Sequence, residues 1–214
     1  MGEKIERKRK NILEEARDLY ENKEWQKVID LLESNIDILS EKWRKEAFRL
    51  LGWSYYYKAI KGPAEEKKEQ LEKAVKNWYR CTGKKVRLSA MNGLPLALYI
   101  LGDKKKAYFI NSNARQDYPD EPSVDNTLLI LLRWDGKFNE SVEVAERVYE
   151  KAMRKGDFRT AGHGKHNQGD ALMKLGRTEE ALESYREAEK MYSQAESGGF
   201  HLEAVKKKIK EIED

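Results

Sequence analysis

The fold of this chain is decided by one stretch, Gly169-Asp-Ala-Leu-Met-Lys-Leu-Gly-Arg-Thr-Glu-Glu-Ala-Leu-Glu-Ser-Tyr-Arg-Glu-Ala188, which predicts two short helices folded back on each other. Gly176 ends the first helix, because a residue without a Cβ atom tolerates the left-handed conformation that a helix C-terminus needs. Gly169 is small where the two helices are predicted to cross. One face of the second helix is formed at helical spacing by Ala181, Tyr185 and Ala188.

The spacing from Gly169 to Ala181 to Ala188, twelve residues and then seven, recurs along the chain. Three further sets repeat it: Ala16, Val28 and Asn35; Pro95, Ala107 and Ala114; and Leu129, Ser141 and Val148. Successive repeats lie about 34 residues apart in the middle of the chain. In period and residue types the chain resembles the tetratricopeptide repeat (TPR) family, most closely over residues 162–193.

The resemblance implies an all-α fold, a right-handed superhelical solenoid of TPR-like helix pairs with about eleven helices. We predict a single TPR-like solenoid domain over residues 1–214. Its five helix pairs and C-terminal capping helix are predicted at about 4–40, 41–82, 84–119, 122–156, 157–193 and 200–214. A helical solenoid of another family is the structural alternative.

Two segments depart from a regular repeat. Gly62-Pro63 ends one helix of the second pair and starts another, and the new helix could extend to Thr82, about 20 residues or about 30 Å. We therefore expect this pair to protrude beyond its neighbours. Pro95 lies inside a predicted helix, which should be kinked or broken near residues 91–95, because proline removes a backbone hydrogen bond and clashes with the preceding turn.

Composition limits the choice of partners. The net charge is only +4, from 42 basic and 38 acidic residues, and lysines alternate with glutamates in most predicted helices, which makes nucleic acid an unfavoured partner. No apolar stretch reaches membrane-spanning length, and no apolar run follows the basic N-terminus as in a secretory signal. The single cysteine, Cys81, fits a reducing compartment, so we expect a cytoplasmic protein without a membrane partner.

TPR proteins generally bind a peptide or protein segment in the concave groove lined by the first helix of each pair. The resemblance therefore implies a protein–protein interaction module or scaffold, with these groove residues: Arg17, Arg49, Trp53, Tyr56, Asn92, Asn126, Arg133, Trp134 and Lys174. Aromatic and arginine side chains commonly anchor interfaces, and arginines attract acidic groups, so the partner could be acidic. The carboxylate clamp of chaperone-binding TPR domains is not reproduced, because Leu13 and Trp53 stand at two of its positions.

Alternatives remain open at this point. Trp53, Tyr56 and Tyr57 could instead pack in the core, and a nucleic-acid-binding helical repeat is the alternative function. His163, His166 and Asp170 have the spacing of a weak metal site, but an ordinary pair of His166 with Asp170 across one helical turn is favoured. No nucleophile motif is visible and Cys81 is interpreted as a core residue, so we expect no enzyme activity and no cofactor.

Overall fold

The computed structural model describes residues 2–81, 83–195 and 199–214. In these residues the chain forms eleven α-helices and no strand, which confirms the predicted all-α class and helix number. The helices are Gly2–Glu21 (α1), Trp25–Asn35 (α2), Glu41–Lys61 (α3), Lys67–Trp78 (α4), Lys84–Ile100 (α5), Lys104–Asp117 (α6), Pro122–Trp134 (α7), Phe138–Lys155 (α8), Phe158–Lys174 (α9), Thr178–Gln194 (α10) and Gly199–Glu213 (α11). Every helix in this described part is too short or too polar to span a bilayer.

The chain divides into two compact units, residues 1–110 and 111–214, and the boundary falls inside α6. In the first unit each helix from α1 to α5 packs on the next, and the odd-numbered helices α1, α3 and α5 also pack on one another. In the second unit α7 to α11 follow the same order, with α9 also against α7. This is the pattern of consecutive antiparallel helix pairs. The prediction of a single solenoid domain stays a prediction.

Glycines allow aromatic rings to pack closely at the helix crossings. A Cβ atom on Gly169 would lie 2.6 Å from the ring of Tyr185, and one on Gly162 would lie 2.7 Å from the ring of Tyr192. Both rings belong to α10, which crosses α9 at these glycines. The predicted crossing at Gly169 is therefore confirmed, and Gly176 ends the pair's turn with a φ of +75°.

The first unit contains the same kind of crossing. The ring of Trp78 lies between α3 and α5, and a Cβ atom on either Gly52 or Gly93 would come within 2.4 Å of it. Trp78 is only 1% exposed. One large ring therefore packs against two helices at once, and its burial is a major hydrophobic contribution to this unit.

The predicted long helix after Gly62-Pro63 is wrong. Residues 64–66 form a turn, and α4 runs only from Lys67 to Trp78, which is 12 residues. After Trp78 the chain tightens into turns, in which Arg80 N donates to Asn77 O at 3.0 Å. Trp78, whose ring is buried against α3 and α5, is the last residue of α4. Thr82, its predicted last residue, lies outside the described residues.

A break near Pro95 is also wrong, because α5 continues through it from Lys84 to Ile100, whereas a kink there stays a prediction. Proline removes one backbone hydrogen bond, but Leu94, Leu96 and Ala97 around it are buried in the core. Tertiary packing outweighs the missing bond. The predicted break before the last helix falls partly on Gly198, outside the described residues, and α11 packs on α10 as expected of a capping helix.

We expect Gly169→Leu and Ala181→Leu each to destabilise the protein by about 1–3 kcal/mol, because a large side chain must be forced into a close helix crossing. Glu179→Leu, at an exposed position of the same helix, is the matched control and should change stability little. Thermal and denaturant unfolding, followed by circular dichroism, gives the melting temperature and the free energy of unfolding of the three variants. Unchanged melting of both crossing variants would contradict the placement of this contact.

Candidate functional site

The two predicted arginines of the first unit share one internal carboxylate. Arg49 donates to Glu46 through two nitrogens, at 2.8 and 2.9 Å, and Arg17 donates to the same side chain at 3.3 Å. Burial alone would raise the pKa of Glu46, but the hydrogen bond and charge of Arg49 and the charge of Arg17 lower it below its usual value. An acidic ligand at this position would have to compete with Glu46 for Arg49.

The predicted aromatic residues of the first unit join a continuous set of ring contacts. Trp53 stacks on Tyr57 at 5.7 Å, meets Trp78 edge-on at 5.1 Å and donates its indole N–H to Ser89 at 3.0 Å. Tyr56 is only 8% exposed. Most of this aromatic surface is therefore used in packing, which favours the core-packing interpretation for Tyr56. Trp53 and Asn92 are partly exposed.

The second unit brings polar side chains from four helices together, and we call this set the inner polar cluster. Its members are Asn126 and Arg133 of α7, Asn167 and Asp170 of α9, Tyr185 of α10 and Lys208 of α11. Arg133 donates to Asp170 at 2.6 Å and also to Asn167. Asn167 in turn lies 3.5 Å from the amide oxygen of Asn126.

Asp170 is the shared acceptor of this cluster. Tyr185 and Lys208 donate to the same oxygen, Oδ1, each at 2.8 Å, while Arg133 donates to Oδ2. Burial alone would raise the pKa of Asp170, but the hydrogen bond from Lys208, the charge of Arg133 and the hydrogen bond from Tyr185 lower it below its usual value. The carboxylate therefore stays charged and holds two cations from different helices.

A cavity of about 410 Å³ opens beside the inner polar cluster. Its lining combines cations and carboxylates with apolar side chains: Arg133, Asp170, Met173, Lys174, Tyr185, Lys208, Glu211 and Ile212. Lys174 was predicted from the sequence and is exposed here. Trp134, the other predicted residue of this unit, is 42% exposed at the end of α7.

The sequence indicated Asn126, Arg133 and Lys174 at this surface but assigned no role to Asn167 or Lys208. Asn167 lies 34 residues after Arg133 in the chain, and Lys208 lies 38 residues after Asp170. The repeat spacing does not predict the first of these contacts, because the fourth and fifth units are offset by 40 residues, from Leu129 to Gly169. Asn167 and Lys208 are therefore recognised as members of the cluster only from the structure.

The three histidines of the chain gather around Tyr192 of α10. His201 stacks on it at 5.4 Å, and the rings of His163 and His166 lie 5.6 and 6.2 Å from it. Burial lowers the pKa of His163 to about 3 and that of His166 to about 4. Both are therefore neutral at pH 7.

His166 faces Asp170 across one helical turn, but the two side chains do not form an ion pair at neutral pH. The Nε2 atom of His166 lies 3.9 Å from an oxygen of Asp170, beyond hydrogen-bond distance, and the ring is neutral. Among the described residues no group of three or more side chains of the metal-ligating types is placed to hold a metal ion.

Cys81 is buried in the first unit. Burial raises the pKa of its thiol to about 12, so almost no thiolate is present at neutral pH. A thiol in this state is a poor nucleophile, which agrees with the prediction of a small core residue.

No protein-family model and no curated protein matches this chain. Its fold is similar to that of PlcR from Bacillus thuringiensis in the apo form, with a TM-score of 0.67 and 16% sequence identity over 95% of this chain and 78% of that chain. PlcR in complex with the peptide PapR7 and DNA gives a TM-score of 0.69 at 16% identity, over 93% of this chain and 74% of that chain. MamA (AMB-1) gives a TM-score of 0.49 at 16% sequence identity, over 85% of this chain and 98% of that chain.

At this identity the likeness to PlcR concerns the fold alone. The class of this chain follows from it together with the helix order: an all-α protein built from TPR-like helix pairs, with its last helix in a capping position.

We expect Arg133 and Asp170 to be energetically coupled. A double-mutant cycle with Arg133→Met and Asp170→Asn should give a coupling of about 1–2 kcal/mol at pH 7, because both side chains are largely removed from water, at 26% and 17% exposure. The exposed pair Arg177–Glu180 is the control and should show no measurable coupling. Denaturant unfolding measures all variants, and equal coupling in both cycles would contradict the role assigned to Asp170.

Proposed function

We propose that this chain is a TPR protein without catalytic activity, that it binds an acidic peptide or protein segment, and that the cavity beside the inner polar cluster is the recognition site. Arg133, Lys174 and Lys208 would bind acidic groups, and Met173 and Ile212 would contact apolar neighbours of those groups.

The observation that carries the proposal is the arrangement of charge around Asp170. Two cations, Arg133 and Lys208, donate hydrogen bonds to this one carboxylate, and the Tyr185 hydroxyl donates to it as well. Lys174 adds a third cation to the cavity lining, against the single further carboxylate of Glu211. An incoming carboxylate can therefore pair with cations that are already held in position, which lowers the entropic cost of recognition.

The site also has the shape and lining that peptide recognition needs. Ligand sites are concave and combine apolar walls with a few placed polar groups. Tyr185 supplies a large ring whose hydroxyl is already fixed by Asp170. The amides of Asn126 and Asn167 lie on the same helices as Arg133 and Asp170, where they could pair with a peptide backbone. PlcR, whose fold is similar, has been solved with a bound peptide.

The first unit would contribute a weaker contact surface. Trp53, Arg17 and Asn92 stay predicted binding residues there, together with Arg49 and Tyr56. We give this surface the smaller role because Tyr56 is buried and because the ring of Trp53 already packs against Tyr57 and Trp78. Trp134 of the second unit is the more exposed aromatic anchor.

Nucleic acid binding is the second candidate, because the PlcR complex also contains DNA. Many lysines and arginines of this chain are instead paired with glutamates one helical turn away, as in Lys10–Glu14, Lys45–Glu41 and Lys73–Glu69. Such pairing is typical of solvated helix faces. A steep fall of affinity with salt would support nucleic acid over peptide.

We expect a display library of random peptides, selected on the purified chain, to be enriched in sequences with Asp or Glu beside apolar residues. Affinities should be on the order of micromolar, because a flexible peptide loses conformational freedom on binding. Arg133→Ala should weaken the enriched peptides by about ten-fold or more.

The matched control is Arg154→Ala, which removes an exposed arginine near the end of α8. It should leave affinity unchanged. Isothermal calorimetry on folded variants decides the matter, and a folded Arg133→Ala protein that binds as tightly as the parent would place the binding site elsewhere.

A further inference from the structure

The C-terminal helix α11 forms one wall of the cavity beside the inner polar cluster. Lys208, Glu211 and Ile212 of this helix line the cavity. Its main packing partner is α10, through the buried side chains of Val205 and Ile209. A helix that packs mainly on one neighbour opens more easily in local unfolding than one packed on several.

The histidines meet where α11 begins. The ring of His201 lies 4.6 Å from that of His163 on α9 and stacks on Tyr192 of α10. The Nε2 atom of His163 is buried and has no hydrogen-bond partner among the described residues. Docking of α11 therefore encloses a histidine nitrogen that water would otherwise solvate.

The surroundings of these histidines are poor in negative charge. The charged and titratable groups that act on or contact them are Arg133 from α7; Arg159 and Asp170 from α9; Tyr185 and Tyr192 from α10; and Lys208 from α11. Asp170 is the only carboxylate of this set and already accepts from Arg133, Lys208 and Tyr185. A proton on His163 would add a buried positive charge next to other cations.

We propose that α11 is a proton-sensitive wall of the binding site, so that acidification displaces α11 from α10 and dismantles the cavity. The proton linkage itself follows from the placement of the histidines. Its effect on ligand binding rests on the proposed function.

The direction follows from proton binding in the two states. With α11 docked, burial lowers the pKa of His163 to about 3. With α11 displaced, His163 contacts water, and its pKa returns to about 6.5. Below about pH 6.5 the displaced state therefore binds more protons. Docking is unaffected above that pH and weakens as the pH falls, by up to about ten-fold per pH unit, because His163 must stay neutral in the docked state.

Hydrogen exchange of backbone amides tests this linkage on the full chain without any ligand. Rates are measured between pH 7.5 and 5.0 and corrected for the intrinsic pH dependence of exchange. We expect the protection of amides 203–213 in α11 to fall at least ten-fold between pH 6.5 and 5.0 while protection in α5 and α8 stays constant. Constant protection in α11, or a parallel loss in α8, would overturn the proposal.

Variants separate the histidines from the rest of the docking contact. His163→Gln removes the group that takes up the proton, so the dependence of α11 protection on pH should be nearly abolished. His201→Phe keeps a ring on Tyr192 and leaves His163 in place, so most of the pH dependence should remain. A full pH dependence in a folded His163→Gln protein, or its loss in His201→Phe, would overturn the proposal.

Lys208→Met is the matched control. It removes the contact with Asp170 and should lower α11 protection at every pH, while the change with pH stays as in the parent protein. A pH dependence that disappears in this variant would assign the effect to Lys208 and overturn the proposal for the histidines. These measurements use no peptide, so their failure leaves the proposed binding function standing, and failed peptide selection leaves the linkage standing.

Discussion

The close packing of an aromatic ring on a glycine is the contact on which the rest of the structure depends. Tyr185 can lie across α9 because Gly169 has no side chain, and its hydroxyl then reaches Asp170, the next residue along α9. The same contact that joins two helices therefore also fixes the acceptor of the inner polar cluster. In the first unit Trp78 takes the equivalent role on Gly52 and Gly93. A methyl group at any of these crossings would separate the helices and remove the neighbouring polar geometry.

Asp170 joins the packing of helices to the chemistry of the proposed site. It is held by groups from α7, α10 and α11, so each of these helices positions one donor around a single carboxylate. Such an arrangement fixes cations without neutralising them fully, which suits recognition of a second anion. The position of α11 then controls both Lys208 and the burial of the histidines. The proposed binding and the proposed proton linkage thus both depend on the packing of α11 on α10.

Most helix boundaries could be predicted from the sequence, because glycine and proline punctuation and apolar periodicity act locally. The second pair, for example, was predicted to begin at residue 41 and its first helix to end at Gly62-Pro63, and α3 spans Glu41–Lys61. The predictions failed where packing overrides local preference. Pro95 was expected to break α5, but buried neighbours hold the helix together. The helix after Pro63 was expected to reach Thr82, but residues 64–66 form a turn and α4 ends at Trp78.

The sequence by itself determined the all-α class, the number of helices and the crossing at Gly169, because these follow from spacings within one or two neighbouring helices. It also indicated Arg133 and Lys174 as surface residues. Only the tertiary structure decided which partners they have. Arg133 meets Asp170 37 residues away, and all three histidines converge on Tyr192. Such meetings depend on the stacking of successive repeats, and stacking is set by side-chain packing between helices that a linear pattern does not encode.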